Sequence, residues 1–198
     1  LPYVLFGKSA WLTRAVSVFI TLLAAFTVGW TLRDIFKLKY WWTGTLFLAL
    51  TPAWFLHSRT AFETAEFVAW YAGTLWAYLM YRHRSPRYLA LAILFCAFAF
   101  YTYSPAQLVM PLLVLGLLVS DWRYHLQQWR ALVVPALLGL VLTLPYIRST
   151  LNKSDAPLTH LRTLYSYWFE PLPLTEKILR YLNEFGIGLS PWYWYIPN

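Results

Sequence analysis

The residues best suited to chemistry stand together as His57-Ser58-Arg59-Thr60, followed by Glu63 and Glu66, at the seam between the apolar runs 40–56 and 67–81. Ionisable groups at such a seam are costly unless they meet water, a partner or a ligand. Thr60-Ala61-Phe62-Glu63 fits a capping box, with Thr60 as N-cap and Glu63 reaching back to its amide. Glu63 and Glu66 would then lie at the positive end of a helix dipole, where carboxylates are favoured. Arg59 has no part in that box. It would precede a helix start whose free amides already favour an anion, and a guanidinium fork there suits a phosphate. The alternatives are an arginine that snorkels to lipid headgroups or pairs with Glu63. His57 reads as a hydrogen-bonded interfacial histidine, or as part of a cavity wall.

A second turn, Phe100-Tyr101-Thr102-Tyr103-Ser104-Pro105-Ala106-Gln107, has the same logic. Ser104 suits an N-cap, Pro105 a first helical position, and Gln107 completes a second capping box. Tyr101 and Tyr103 either anchor the hairpin at the membrane interface or line the same cavity as Arg59. Cys96, the one cysteine, lies in an apolar run and reads as a small hydrophobe. A disulfide within the chain is excluded, and no zinc-ligand spacing occurs. No cofactor follows from these residues, although a divalent metal stays open.

Composition says what must position these groups. The chain is 60% hydrophobic and 12% charged, about half the charge of an ordinary globular domain. The net charge of +8 comes from basic clusters between apolar runs. That arrangement fits the positive-inside pattern, and nucleic acid is not expected as a partner. Spans are predicted at 11–31, 41–57, 62–81, 88–103, 105–120 and 131–147, giving an all-α polytopic bundle of about six transmembrane helices. Arg33, Lys37, Lys39, Arg82, Arg84, Arg87, Arg123 and Arg130 fall on one side, and Lys8, Arg14 and Arg59 on the other. The first side is therefore expected in the cytoplasm, and the 57–66 seam, the 101–105 turn and everything after residue 147 on the outer face of a cell membrane.

Residues 1–147 read as the bundle and 148–198 as an outer-face loop. Lys153, Asp155 and Arg162 mark the polar part of that loop. Ile178, Leu179, Leu182 and Phe185 share one face of an expected interfacial helix over 175–185, with Gly186 as its stop. Pro191-Trp192-Tyr193-Trp194-Tyr195 suits either an aromatic belt or a platform for sugar rings. The chain begins at Leu1 without methionine and ends at Pro197-Asn198 within that aromatic stretch. It is expected to be a piece of a longer multispan protein with at least one span upstream.

Taken together, the Pro-(x)4-His57-Ser58-Arg59-Thr60-(x)2-Glu63 pattern, the basic loop after it and the Phe100–Pro105 turn with Pro111 resemble bacterial lipid-linked-sugar glycosyltransferases of the GT-C superfamily. The nearest branch is family 39, the protein mannosyltransferases and aminoarabinose transferases. Phe6-Gly7-Lys8-Ser9-Ala10-Trp11-Leu12-Thr13-Arg14 is similar to the segment entering the second span there. The resemblance implies a polyprenyl-phosphate sugar donor, a lipid, glycan or protein acceptor, and an inverting transfer at the outer membrane face. It places the catalytic carboxylate in a loop upstream of Leu1, leaving Glu63 as a weak local candidate. Arg59, Thr60 and Arg14 would hold the donor phosphate, with His57, Tyr101 and Tyr103 lining the cavity and membrane lipid around it. A transporter or flippase for lipid-linked or anionic substrates is the alternative. Against it, charges gather at the seams, the span middles are clean and no internal repeat is evident.

Overall fold

The computed structural model describes residues 7, 9–152 and 167–190. Lys8, Lys153, Asp155, Arg162 and the aromatic run 191–195 lie outside these. Among the described residues every regular element is a helix, in agreement with the all-α expectation. The contacts form two units, Leu1–Pro145 and Tyr146–Asn198.

Helix α1 (Ala10–Trp30) starts where the Ser9 hydroxyl accepts the Leu12 amide at 3.1 Å. It widens into a π-helical turn, Thr31–Ile35, closed by the Phe36 amide on the Thr31 carbonyl. The single span expected at 41–57 is in fact two short helices, α2 (Trp42–Leu50) and α3 (Pro52–Arg59). Pro52 is the cause: it pushes Thr51 into an extended conformation (ψ 118°) and begins α3 at its first position. Then follow α4 (Glu63–His83), α5 (Tyr88–Thr102), α6 (Ala106–Ser120), α7 (Trp122–Gln127) and α8 (Trp129–Asn152).

Two stretches, Ala10–Ile35 and Trp129–Asn152, are long and apolar enough to cross a membrane. Helices α5 and α6 have 15 residues each, about 22 Å of helix against a hydrocarbon core of about 30 Å. The six predicted segments are thus helical, but six full spans are not what the lengths provide.

The first unit is organised around α4, which packs along both α1 and α5. Its buried positions include Ala65, Ala69, Gly73 and Ala77, and those of α1 include Ser17, Thr21, Ala24 and Thr27. Small residues let helix backbones approach closely where apolar burial alone gives little preference for one partner over lipid. At Gly73 the fit is tight, since a Cβ there would stand 2.9 Å from the Phe95 ring.

The helices alternate in direction. Phe67 near the start of α4 meets Tyr103 after α5, with rings 5.6 Å apart. Arg84 after α4 reaches Asp34 of the π-helical turn at 3.6 Å. One end of the unit therefore carries residues 57–63 and 101–105, and the other carries 33–39, 82–87 and 121–130. The eight basic residues counted above belong to the second end.

In the second unit, a 3-10 turn (Tyr167–Phe169) precedes α9 (Leu174–Leu189). The Arg180 guanidinium donates to the Glu170 carboxylate at 3.0 Å. Leu174, Ile178, Leu182, Phe185 and Leu189 form an exposed apolar stripe on α9. Gly186 does not stop this helix. It continues to Leu189 and is capped at Ser190, whose amide donates to the Ile187 carbonyl; an internal glycine costs only about 1 kcal/mol.

Candidate functional site

The seam folds differently from a capping box. Thr60 is not the N-cap of the helix that follows; it closes the helix before it. Its hydroxyl donates to the Leu56 carbonyl at 3.0 Å, as expected of a β-branched hydroxyl at a helix C-terminus. Ala61 then adopts a left-handed conformation (φ 57°), which reverses the chain before α4. Phe62 occupies the N-cap position of α4 without a side-chain hydrogen bond. Glu63 is therefore the first residue of α4, and Glu63 and Glu66 do sit in its first turn, where the dipole favours them.

Arg59 is the last residue of α3 and not the neighbour of a helix start. Its guanidinium carbon lies 3.6 Å from the centroid of the Phe55 ring, one turn earlier. This cation–π stack fixes an exposed arginine, and no carboxylate pairs with it among the described residues. The alternative of an Arg59–Glu63 ion pair is not what forms. His57 is exposed on the same helix, with its ring 5.0 Å from that of Phe62.

The start of α4 contributes donors that the sequence did not single out. Only from Ala65 onward do the first-turn amides find the Phe62 carbonyl. Thr64, the second residue of α4, has a buried hydroxyl oxygen with no hydrogen-bond partner. A hydroxyl and unfilled amides at a helix N-terminus are the groups that receive an anion. Thr64, and not Thr60, therefore lies in the first turn of α4. Its signal was present in the sequence, one position after Glu63, but the capping-box reading shifted the helix start.

The second turn also differs from its expected box. Helix α6 starts at Ala106 with Pro105 as its N-cap residue and no side-chain cap, and the Ser104 carbonyl receives the Gln107 amide. Tyr101 is half exposed, and its hydroxyl donates to the Leu142 carbonyl of α8 at 2.6 Å. That bond ties α5 to α8. Tyr103 packs against Phe67 at the start of α4, which brings the two turns to one end. Arg14 is exposed on α1 and forms no ion pair among the described residues.

An apolar cavity of about 240 Å³ opens beside Tyr101, lined by Cys96, Phe100, Pro111, Gly139 and Thr143. A second, about 270 Å³, shares Ile93, Cys96 and Val114 with it and reaches Tyr78 and His125. Cys96 is half-buried between them, in keeping with its reading as a small hydrophobe. Among the described residues no three His, Cys, Asp or Glu side chains are placed to hold a metal ion.

The opposite end carries a polar cluster that sequence reasoning missed. The Tyr78 hydroxyl donates to Asp121 at 2.6 Å, and Arg82 pairs with the same carboxylate at 3.0 Å. His125 lies between Tyr78 (3.3 Å from Nε2) and Tyr81 (3.0 Å from Nδ1). The available signal was the Asp121–His125 spacing of one helical turn beside an apolar run.

Comparison with known proteins gives one match. The family model described as dolichyl-phosphate-mannose-protein mannosyltransferase matches residues 1–148. No curated protein and no solved structure matches the chain.

Proposed function

The chain belongs to the dolichyl-phosphate-mannose-protein mannosyltransferase family, and from that premise we propose that it serves a membrane glycosyltransferase that takes its sugar from a polyprenyl-phosphate carrier at the outer face of the cytoplasmic membrane. The family match over residues 1–148 carries this reading, because it covers both turns and all the helices that set them at one end. In this proposal the six helical segments form a bundle in the membrane, with the shorter ones completed at the interface. Helix α9 lies along the outer surface through its apolar stripe.

The phosphate of the donor is the leaving group, so a cation near it stabilises the charge that develops as the glycosidic bond breaks. Arg59 takes this role. It is exposed, has no carboxylate partner among the described residues, and stacks on Phe55. The first amides of α4 add neutral donors. Arg14 assists from α1, and His57, Tyr101 and Tyr103 border the site. The acceptor, whether lipid, glycan or protein, needs a base to take its hydroxyl proton. Glu63 is the local candidate, while the family resemblance favours another carboxylate of the enzyme.

The test is transfer by the full-length protein in membranes, supplied either with a labelled polyprenyl-phosphate sugar or with the corresponding nucleotide sugar. Transfer from the lipid carrier alone is expected. Transfer from the nucleotide sugar without a carrier would overturn the donor assignment. Carrier-stimulated passage of an intact lipid-linked sugar across the bilayer, without transfer, would favour the transporter reading instead.

A further inference from the structure

The elbow between α7 and α8 repeats a dipeptide. Trp122-Arg123 stands at the start of α7, and Trp129-Arg130 at the start of α8. In both, the guanidinium carbon lies over the ring of the tryptophan before it, 5.6 Å from the centroid at Trp122 and 5.5 Å at Trp129. Neighbouring residues on a helix do not face each other, so each arginine turns sideways to make that contact. All four residues are exposed. Two cations are thereby held beside two indoles on the outer side of one elbow.

The inner side of the elbow is committed to the bundle. Asp121 takes the Arg82 guanidinium at 3.0 Å and the Tyr78 hydroxyl at 2.6 Å. The Tyr124 hydroxyl donates to the Tyr81 carbonyl, and His125 is buried. Asp121, Tyr124 and His125 share one helical face, which leaves Trp122, Arg123 and Leu126 on the other. Asp34, a second acid at this end, is occupied by Arg33 and Arg84. Among the described residues no carboxylate pairs with Arg123 or Arg130.

What adjoins the two arginines is apolar, and it has a direction. Trp122, Leu126, Trp129 and Val133 recur at helical spacing, and Leu137 and Leu140 continue the series along α8; all six are exposed. Helix α8 is long and apolar enough to cross a membrane. Tryptophan at the end of such a stripe marks the headgroup level. From Trp129 to Leu140 the helix rises about 16 Å, close to the depth of one leaflet's hydrocarbon, about 15 Å. A soluble anion would use the guanidinium groups and leave the stripe bare, whereas a phospholipid uses both. A zwitterionic headgroup brings its own ammonium to the phosphate, so a headgroup of net negative charge gains more from two unpaired arginines.

We propose that the Trp122-Arg123 and Trp129-Arg130 elbow binds an anionic phospholipid of the leaflet at the basic end, with the headgroup phosphate on the guanidinium groups and an acyl chain along the α8 stripe. This rests on the helices lying in a membrane and is independent of the sugar donor. Lys39 also stacks on an aromatic ring, that of Tyr40, but it leads into α2, which has nine residues and no such stripe of leaflet depth.

The experiment titrates the full-length protein in non-ionic detergent with phosphatidylglycerol or with phosphatidylcholine and counts bound lipid by native mass spectrometry. Phosphatidylglycerol is expected to bind about thirtyfold more tightly, about fivefold for each arginine at an anionic lipid. Arg123→Gln combined with Arg130→Gln should lose most of that preference. Lys37→Gln combined with Lys39→Gln removes the same charge from the same end and should keep it. Equal affinity for the two lipids in the wild-type protein overturns the site. An equal loss in both double variants also overturns it, since the attraction would then be diffuse. Displacement of phosphatidylglycerol by excess inorganic phosphate would make this a site for a free anion and overturn the lipid assignment.

Discussion

The guanidinium carbon of Arg59 lies over the ring of Phe55, 3.6 Å from its centroid and one helical turn away. An exposed arginine is normally mobile, and this stack keeps its fork in one place without neutralising it. Removing the cation should therefore hurt more than removing its support. Arg59→Ala is expected to lower transfer by about a hundredfold, comparable with the loss of a transition-state donor. Arg59→Lys should recover little because the planar fork is lost. Phe55→Leu should cost only two- to fivefold, the equivalent of about 0.5–1 kcal/mol for an exposed cation–π contact. Steady-state transfer on normally inserted protein checks all three, and wild-type turnover in Arg59→Ala would remove the arginine from the mechanism.

Orientation is open to direct labelling. The eight basic residues at one end of the helices, against Arg14 and Arg59 at the other, predict that Arg82 to Arg87 face the cytoplasm. In a Cys96→Ala background, a cysteine at position 85 should react with an impermeant maleimide only after the membrane is opened. One at position 154 should react in intact cells. Labelling of 85 from outside would invert the proposed topology and move the donor site to the cytoplasmic face.

Tyr101 separates a packing role from a chemical one. Its hydroxyl is committed to the Leu142 carbonyl at 2.6 Å, so Tyr101→Phe should cost about 1 kcal/mol of stability and leave transfer within a few-fold. The melting temperature and turnover are measured on the same preparation. A loss of transfer above about tenfold with stability intact, more than 1.4 kcal/mol of transition-state energy, would return that hydroxyl to the reacting groups.

Gly73 tests the close packing around α4. A methyl group there meets the Phe95 ring at 2.9 Å, and that ring is itself packed on Trp70, with centroids 5.7 Å apart. Gly73→Ala gains helix propensity of about 1 kcal/mol and loses a similar amount or more to overpacking, about 1–3 kcal/mol. Gly73→Val keeps the clash and loses that gain, so it should melt lowest of the three. Equal melting temperatures for Gly73→Val and the parent would show that Phe95 yields freely.

Hydropathy alone determined that the described residues fold as helices, roughly where the apolar segments run apart from the break at Pro52, and that basic residues gather at alternate turns. Apolar runs of this kind must satisfy their backbone hydrogen bonds internally, and a helix does so within one segment. The family was legible too, because its pattern is carried by local sequence around Arg59 and Tyr101. What local sequence left undecided was how each turn breaks. Thr60 can cap the helix after it or close the helix before it. A left-handed Ala61 and the packing of α3 select the second outcome, moving the helix start to Glu63 and making Thr64 the free hydroxyl. The same holds for Tyr101 and His125. Their partners, Leu142 and the pair Tyr78 and Tyr81, lie more than forty positions away. Which polar group meets which depends on the register of whole helices, and that register is set by small-residue contacts such as Gly73 against Phe95, which only the tertiary structure brings together.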